Sequence, residues 1–179
     1  MQARANEVIK KCDDFSEKLD AKNKAKGEAR RHAEEEQKKA FRSLNNSVDV
    51  LNKEFKAFLS EAPLTDMPAQ DLVEVGKALG NYLSYQIKIN KIRRFLDALR
   101  RIEVGKQYDP GELALMRPQL AYAVGRTDRD EKECMKRFMD FFDPVLKQAA
   151  DSGRRDVFEK ALKLMETIIA FHRYYGGSD

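Results

Sequence analysis

The side chains of this sequence best equipped to do chemistry are cations. Between Lys88 and Lys106 stand seven basic residues, Lys88, Lys91, Arg93, Arg94, Arg100, Arg101 and Lys106, against two acids, Asp97 and Glu103. That surplus is larger than the +4 net charge of the whole 179-residue chain, so the run holds charge that the remainder balances out. Guanidinium and ammonium groups form charge-assisted hydrogen bonds to phosphate or carboxylate oxygens and displace counterions from polyanions. They make and break no bonds. On periodicity alone a solvated helix face accounts for the pattern equally well.

The run must be positioned by a helix. Ile92, Phe95, Leu96, Leu99 and Ile102 recur at spacings of three and four, which predicts one buried helical face. At about 100° per residue, Arg93 and Arg100 fall on one flank of that stripe, Lys91 on the other, and Arg94 and Arg101 point directly away. The cations therefore form two faces and not one patch. The flank pair, nearer the packed core, is the better candidate for an ordered contact. Asn90 is placed to cap a helix that begins at Lys91, with a break at Ile89-Asn90.

Other chemistry is missing. There is no glycine-rich phosphate loop, no HExxH and no GxSxG. The two histidines, His32 and His172, are far apart, and acids alternate with bases along helices as salt-bridged surfaces require. No nucleophile, base or metal set converges, so the sequence implies a non-enzyme with no metal and no cofactor. Cys12 and Cys134 lack CxxC spacing and read as small buried hydrophobes in a reducing compartment. With no long apolar run and no apolar signal core, the chain reads as a soluble cytoplasmic protein without a membrane partner.

The hydrophobic fraction of 42% is enough for a core, and the charged fraction of 36% suits exposed helix surface. Residues 1–62 form a charged, proline-free arm. One seam, Val8, Cys12, Phe15 and Leu19, is separated from a second, Phe41, Leu44, Val48, Leu51, Phe55 and Phe58, by a polar interval containing Gly27. That pattern predicts a helical hairpin, or one long interrupted coiled-coil-like helix. Pro63 and Pro68 mark a linker over 63–70. Residues 71–179 then read as a helical bundle. Leu72, Val75, Leu79, Leu83 and Ile87 are in step, with Gly76 and Gly80 beside them for close packing.

Asp109-Pro110-Gly111-Glu112 has the spacing of a helix start. Pro118 is expected to begin a further helix that Gly125 stops, and Thr127 to open the next one. Pro144 is expected to kink or restart that helix, and Gly176-Gly177 to end the last. Tyr122 and Tyr174 offer stacking surfaces for bases, but tyrosines at helical spacing are expected in the core. No alternating strand pattern occurs. The fold class is all-α, a compact helical bundle with an N-terminal helical hairpin or long-helix extension.

Three segments carry a resemblance. Lys91-Ile-Arg-Arg-Phe-Leu-Asp-Ala-Leu-Arg-Arg-Ile102 resembles the basic helix of the small subunit of type III-A CRISPR–Cas (Csm) effector complexes. Met116-Arg-Pro-Gln-Leu-Ala-Tyr-Ala-Val-Gly-Arg126 is similar to that family's Pro-x-Leu-Ala-Tyr-x-x-x-Arg signature. Met165-Glu-Thr-Ile-Ile-Ala-Phe-His-Arg-Tyr-Tyr-Gly-Gly177 resembles its ending, with Phe171 in place of a tyrosine. Residues 1–62 lie outside the resemblance. It implies a non-catalytic, RNA-binding structural subunit in antiviral defence. Its partners would be the target strand of a guide RNA–target RNA duplex, other effector subunits and copies of itself. Lys91, Arg93, Arg94, Arg100, Arg101 and Arg126 would be the RNA-binding residues. A subunit that must accept any target reads backbone rather than base edges. The alternative is a helical interaction or adaptor module whose basic helix docks an acidic partner.

Overall fold

The computed structural model describes residues 1–104 and 109–178. Among them the chain is all-α: α1 (Gln2–Lys24), α2 (Gly27–Glu61), a 3-10 turn (Leu64–Asp66), α3 (Ala69–Ser84), α4 (Ile89–Val104), α5 (Pro110–Arg126), α6 (Arg129–Ser152) and α7 (Arg155–Tyr174). Lys106, counted in the basic run, and the expected end of α4 beyond Val104 lie outside the described residues. No described helix is long and apolar enough to cross a membrane.

The two N-terminal seams resolve as a hairpin. α1 ends at Lys24, and Gly27 opens α2 with φ of +61°, a left-handed conformation that glycine adopts without steric cost. Val8, Cys12 and Phe15 are buried against α2, whose Leu44, Val48, Leu51 and Phe55 are fully buried in turn. The proximal half of the hairpin joins the bundle core. Phe55 stacks on Phe141 of α6 at 4.2 Å, and Phe15 meets Tyr85 edge-on at 5.1 Å. Asp49 receives a two-pronged ion pair from Arg137 at 2.8 and 3.1 Å. Burial pushes the Cys134 thiol up to about 12 and raises that of Cys12 as well, so both stay protonated.

Gln148 of α6 ties the proline-bearing corner down. Its side-chain carbonyl accepts from Leu64 N–H at 2.7 Å, and its amide donates to the Leu59 and Ala62 carbonyls at 2.8 and 3.0 Å. Lys160 of α7 adds a bond to the Met67 carbonyl at 2.6 Å. These backbone groups, which the two prolines take out of helical pairing, are satisfied by side chains instead.

α3 and α7 cross closely at the glycine pair. A Cβ on Gly80 would stand 2.6 Å from the Ile168 carbonyl oxygen and one on Gly76 2.5 Å from Thr167 Cγ2, so only glycine lets these backbones approach.

Four helix boundaries differ from the sequence reading. Pro118 does not start a helix: it sits inside a continuous α5, as does Gly125. Of the two outcomes expected at Pro144, a restart does not occur, since this proline lies within a continuous α6. A proline inside a helix removes its bond to the carbonyl four residues earlier. Here the residues that lose a donor, Ala114 and Asp140, are exposed, where water can take its place. Thr127 caps the end of α5, its hydroxyl donating to the Ala123 carbonyl at 2.7 Å, and Asp128 precedes α6. Finally, α4 starts at Ile89 and the break lies over residues 85–88, so Asn90 is within the first turn and is not the cap.

Candidate nucleic-acid interface

α4 turns its apolar stripe inward as the spacing requires. Ile89, Ile92, Phe95, Leu96, Leu99 and Ile102 are all buried, while Lys88, Arg93, Arg94, Arg100 and Arg101 are exposed.

Its N-terminus is held from the far end of the chain. Gly176, with φ of +81°, turns the backbone after α7, and the Ser178 carbonyl then accepts from Ile89 N–H at 2.9 Å. One orphan donor of the first turn is satisfied in this way. Beneath this strap lies His172, fully buried, with Nε2 2.7 Å from the Ile87 carbonyl. A carbonyl only accepts, so Nε2 carries a proton and donates it. Burial, with a further push from Arg173, lowers the His172 pKa even though the Ile87 bond opposes it. Gly177 packs flat on the imidazole: a Cβ there would lie 2.1 Å from His172 Cε1. The Tyr-Tyr-Gly-Gly ending thus has a mechanical role in fixing where the basic helix begins.

α5 lies beside α4 and converts its outward face into a groove. Arg94, Arg101 and Lys91 of α4 line it with Tyr122 and Arg126 of α5, around a space of about 600 Å³ that also touches Gln119, Asp97 and Met135 of α6. Arg126 places its guanidinium carbon 5.6 Å from the Tyr122 ring centroid, within the range of cation–π attraction. Tyr122 is 65% exposed and Tyr174 76% exposed, which corrects the expectation that both are core residues. Each lies two positions, about 200° of helix, from a fully buried neighbour, Leu120 or His172. Tyr174 instead closes an aromatic cluster with Tyr175 at 5.0 Å and Phe171 at 6.3 Å.

The six expected site residues therefore separate. Arg94, Arg101, Lys91 and Arg126 come together at the groove. Lys91 is partly committed there, because its ammonium pairs with Glu131 and sits 3.9 Å from Asp128 at the start of α6. Arg93 and Arg100 lie outside it, and Arg100 pairs with Glu166 of α7 at 2.7 Å. The flank pair favoured by its nearness to the core is thus engaged with α7 through Arg100. Sequence reasoning did not name Gln119 as a site residue. It fills the unspecified position of the Pro-x-Leu-Ala-Tyr signature, so the sequence carried no signal for it. α5 is itself locked to α6 by a two-pronged Arg117–Asp143 pair at 2.6 and 2.9 Å. Among the described residues no group of His, Cys, Asp and Glu side chains gathers as a metal site needs.

The described residues form an all-helical bundle that displays a cationic groove edged by Tyr122. Residues 66–178, more than half of the chain, match the family model described as Csm2 Type III-A. The chain belongs to that family, a structural subunit family of type III-A CRISPR effector complexes. No curated protein matches it.

Proposed function

We propose that the chain contacts the target strand of a guide RNA–target RNA duplex through the α4–α5 groove, without sequence preference, as part of antiviral defence. The observation that carries this reading is the convergence of Arg94, Arg101, Lys91 and Arg126 on one groove edged by an exposed Tyr122. Arginine forks suit phosphate oxygens, and a rigid helix holds them in register without consulting the bases. Tyr122 supplies a face on which an unpaired base can stack, a sequence-tolerant contact of about 1–3 kcal/mol. Arg93 and Arg100 take a different task, facing a neighbouring effector subunit or a second copy of this chain. The subunit performs no catalysis in this reading; it orders RNA for the rest of the complex.

The test is binding of a fluorescent single-stranded RNA across a salt series. Wild type binds regardless of sequence, with affinity falling steeply as salt rises. Reversing the charge at both Arg94 and Arg101 removes that binding while helical circular dichroism and the melting temperature stay unchanged. A folded double variant that binds RNA as wild type does would overturn the assignment. Loss of binding only on reversing Arg93 and Arg100 would move the site to the flank.

A further inference from the structure

The N-terminal hairpin lies outside the matched family region and carries a second concentration of charge. Between Ala21 and Ala33 stand Lys22, Lys24, Lys26, Arg30 and Arg31 against a single acid, Glu28. These residues span the end of α1, the turn and the start of α2. From Asp20 to Lys39 no residue is buried, and none of the hydrophobic side chains packed against the core cluster falls in that span, so the distal part of the hairpin stands clear of the core. The α2 portion from Gly27 to Lys39 alone extends about 20 Å at 1.5 Å per residue. Its base is anchored by Phe15 against Phe41, ring centroids 5.2 Å apart. The charges are free to act outward. Lys24, Lys26 and Arg31 make no ion pair among the described residues, and Arg30 has only its exposed partner Glu34 at 3.3 Å.

We infer that this hairpin tip is a second binding site, one that grips the phosphate backbone of a double-stranded nucleic acid. Three features choose that ligand. Between Leu19 and Phe41 the only apolar side chains are alanines, so the tip has nothing to form the desolvated apolar centre of a protein–protein interface. The same lack rules against insertion into a lipid surface, which needs large apolar or aromatic side chains beside the cations. No Phe, Tyr or Trp lies between Phe15 and Phe41 and the imidazole of His32 is the one ring there, so the tip lacks the row of rings on which successive single-stranded bases stack. What remains is cationic side chains on two adjoining helix ends, a surface suited to phosphates whose bases are already paired and hidden. The site differs from the α4–α5 groove in this respect, since the groove is edged by Tyr122 and the tip carries no Phe, Tyr or Trp.

The test compares a 20-base-pair RNA duplex and a 20-nucleotide single strand, both fluorescent, binding to the full chain over a salt series. The variant carries Lys24→Gln, Lys26→Gln, Arg30→Gln and Arg31→Gln together, at exposed positions whose replacement leaves the melting temperature unchanged. We expect duplex affinity to fall at least tenfold and the log–log salt slope to lose about three to four units, near 0.9 per phosphate contact removed. Single-strand binding stays at the wild-type level. Repeating the measurement on a background with Arg94 and Arg101 reversed gives the same duplex loss if the two sites are independent, so failure of either assignment is seen separately. A folded variant with wild-type duplex affinity and salt slope would overturn the proposal. Equal losses for duplex and single strand would also overturn it, as would a loss confined to an acidic polypeptide probe such as polyglutamate.

Discussion

His172 is fully buried, protonated on Nε2 toward the Ile87 carbonyl, and covered by Gly177. Because burial holds its folded-state pKa below the ordinary value of 6.5, the unfolded chain binds the extra proton first as pH falls. The stability that neutral His172 contributes is therefore complete above pH 6.5 and is lost as the pH drops from there through the lowered folded value. Urea denaturation at pH 7.5 and 5.0 should show that loss, and His172→Gln, which cannot titrate, should flatten this part of it. A wild-type loss undiminished by the substitution would remove His172 as the cause. Gly80 makes the complementary steric case. Its missing Cβ would fall 2.6 Å from the Ile168 backbone oxygen, and Gly80→Ala should cost about 1–3 kcal/mol as an overpacked contact. A reduced denaturant midpoint at unchanged slope is the expected signature. At this scale the chain was readable where one residue has one spatial need: the Gly76/Gly80 pair announced a close crossing. Tyr122 and Tyr174 misled because residue type states a preference for burial, whereas their distance around the helix from Leu120 and His172 decided their exposure.

Helix α4 was legible almost whole, since its stripe from Ile92 to Ile102 is periodic and every member is buried. Its first turn was misplaced because the groups that fix it, His172, Gly177 and Ser178, arrive from the other end of the chain. α5 was broken in the reading at Pro118, and at Pro144 a restart of α6 was one of two expected outcomes. Proline costs a helix one hydrogen bond, and nothing local reveals that tertiary packing against a neighbouring helix will outweigh it. Asp109, in contrast, is a cap by local chemistry: its carboxylate accepts from Gly111 N–H at 2.8 Å with Pro110 at the first helical position. Asp109→Ala should lower stability by about 1 kcal/mol, readable as a shift in the thermal or urea transition. No change would mean that the start of α5 is held by its packing on α6 and by Arg117–Asp143 alone.

Across the whole molecule, one hydrophobic cluster runs from Ala5 in the hairpin to Ile169 in α7, and it holds α4 and α5 side by side. The groove was not readable from the chain for that reason. Arg94 and Arg101 were identifiable as cations facing away from the core, and Arg126 as part of a signature. That a second helix would lie over the outward face and make it concave depends on α5 docking against α4 and α6. Membership in a structural subunit family of type III-A effector complexes is the setting for the proposed groove contact, and the proposed hairpin site would give the molecule a second hold on RNA.

The most direct measurement is crosslinking in the assembled complex. A photoreactive phenylalanine analogue at position 122, irradiated in an effector complex reconstituted with guide and target RNA, should attach the α5 peptide to the target strand. The attachment should vanish when Arg94 and Arg101 are reversed. Attachment of position 122 only to another protein subunit, with no RNA adduct, would contradict the account.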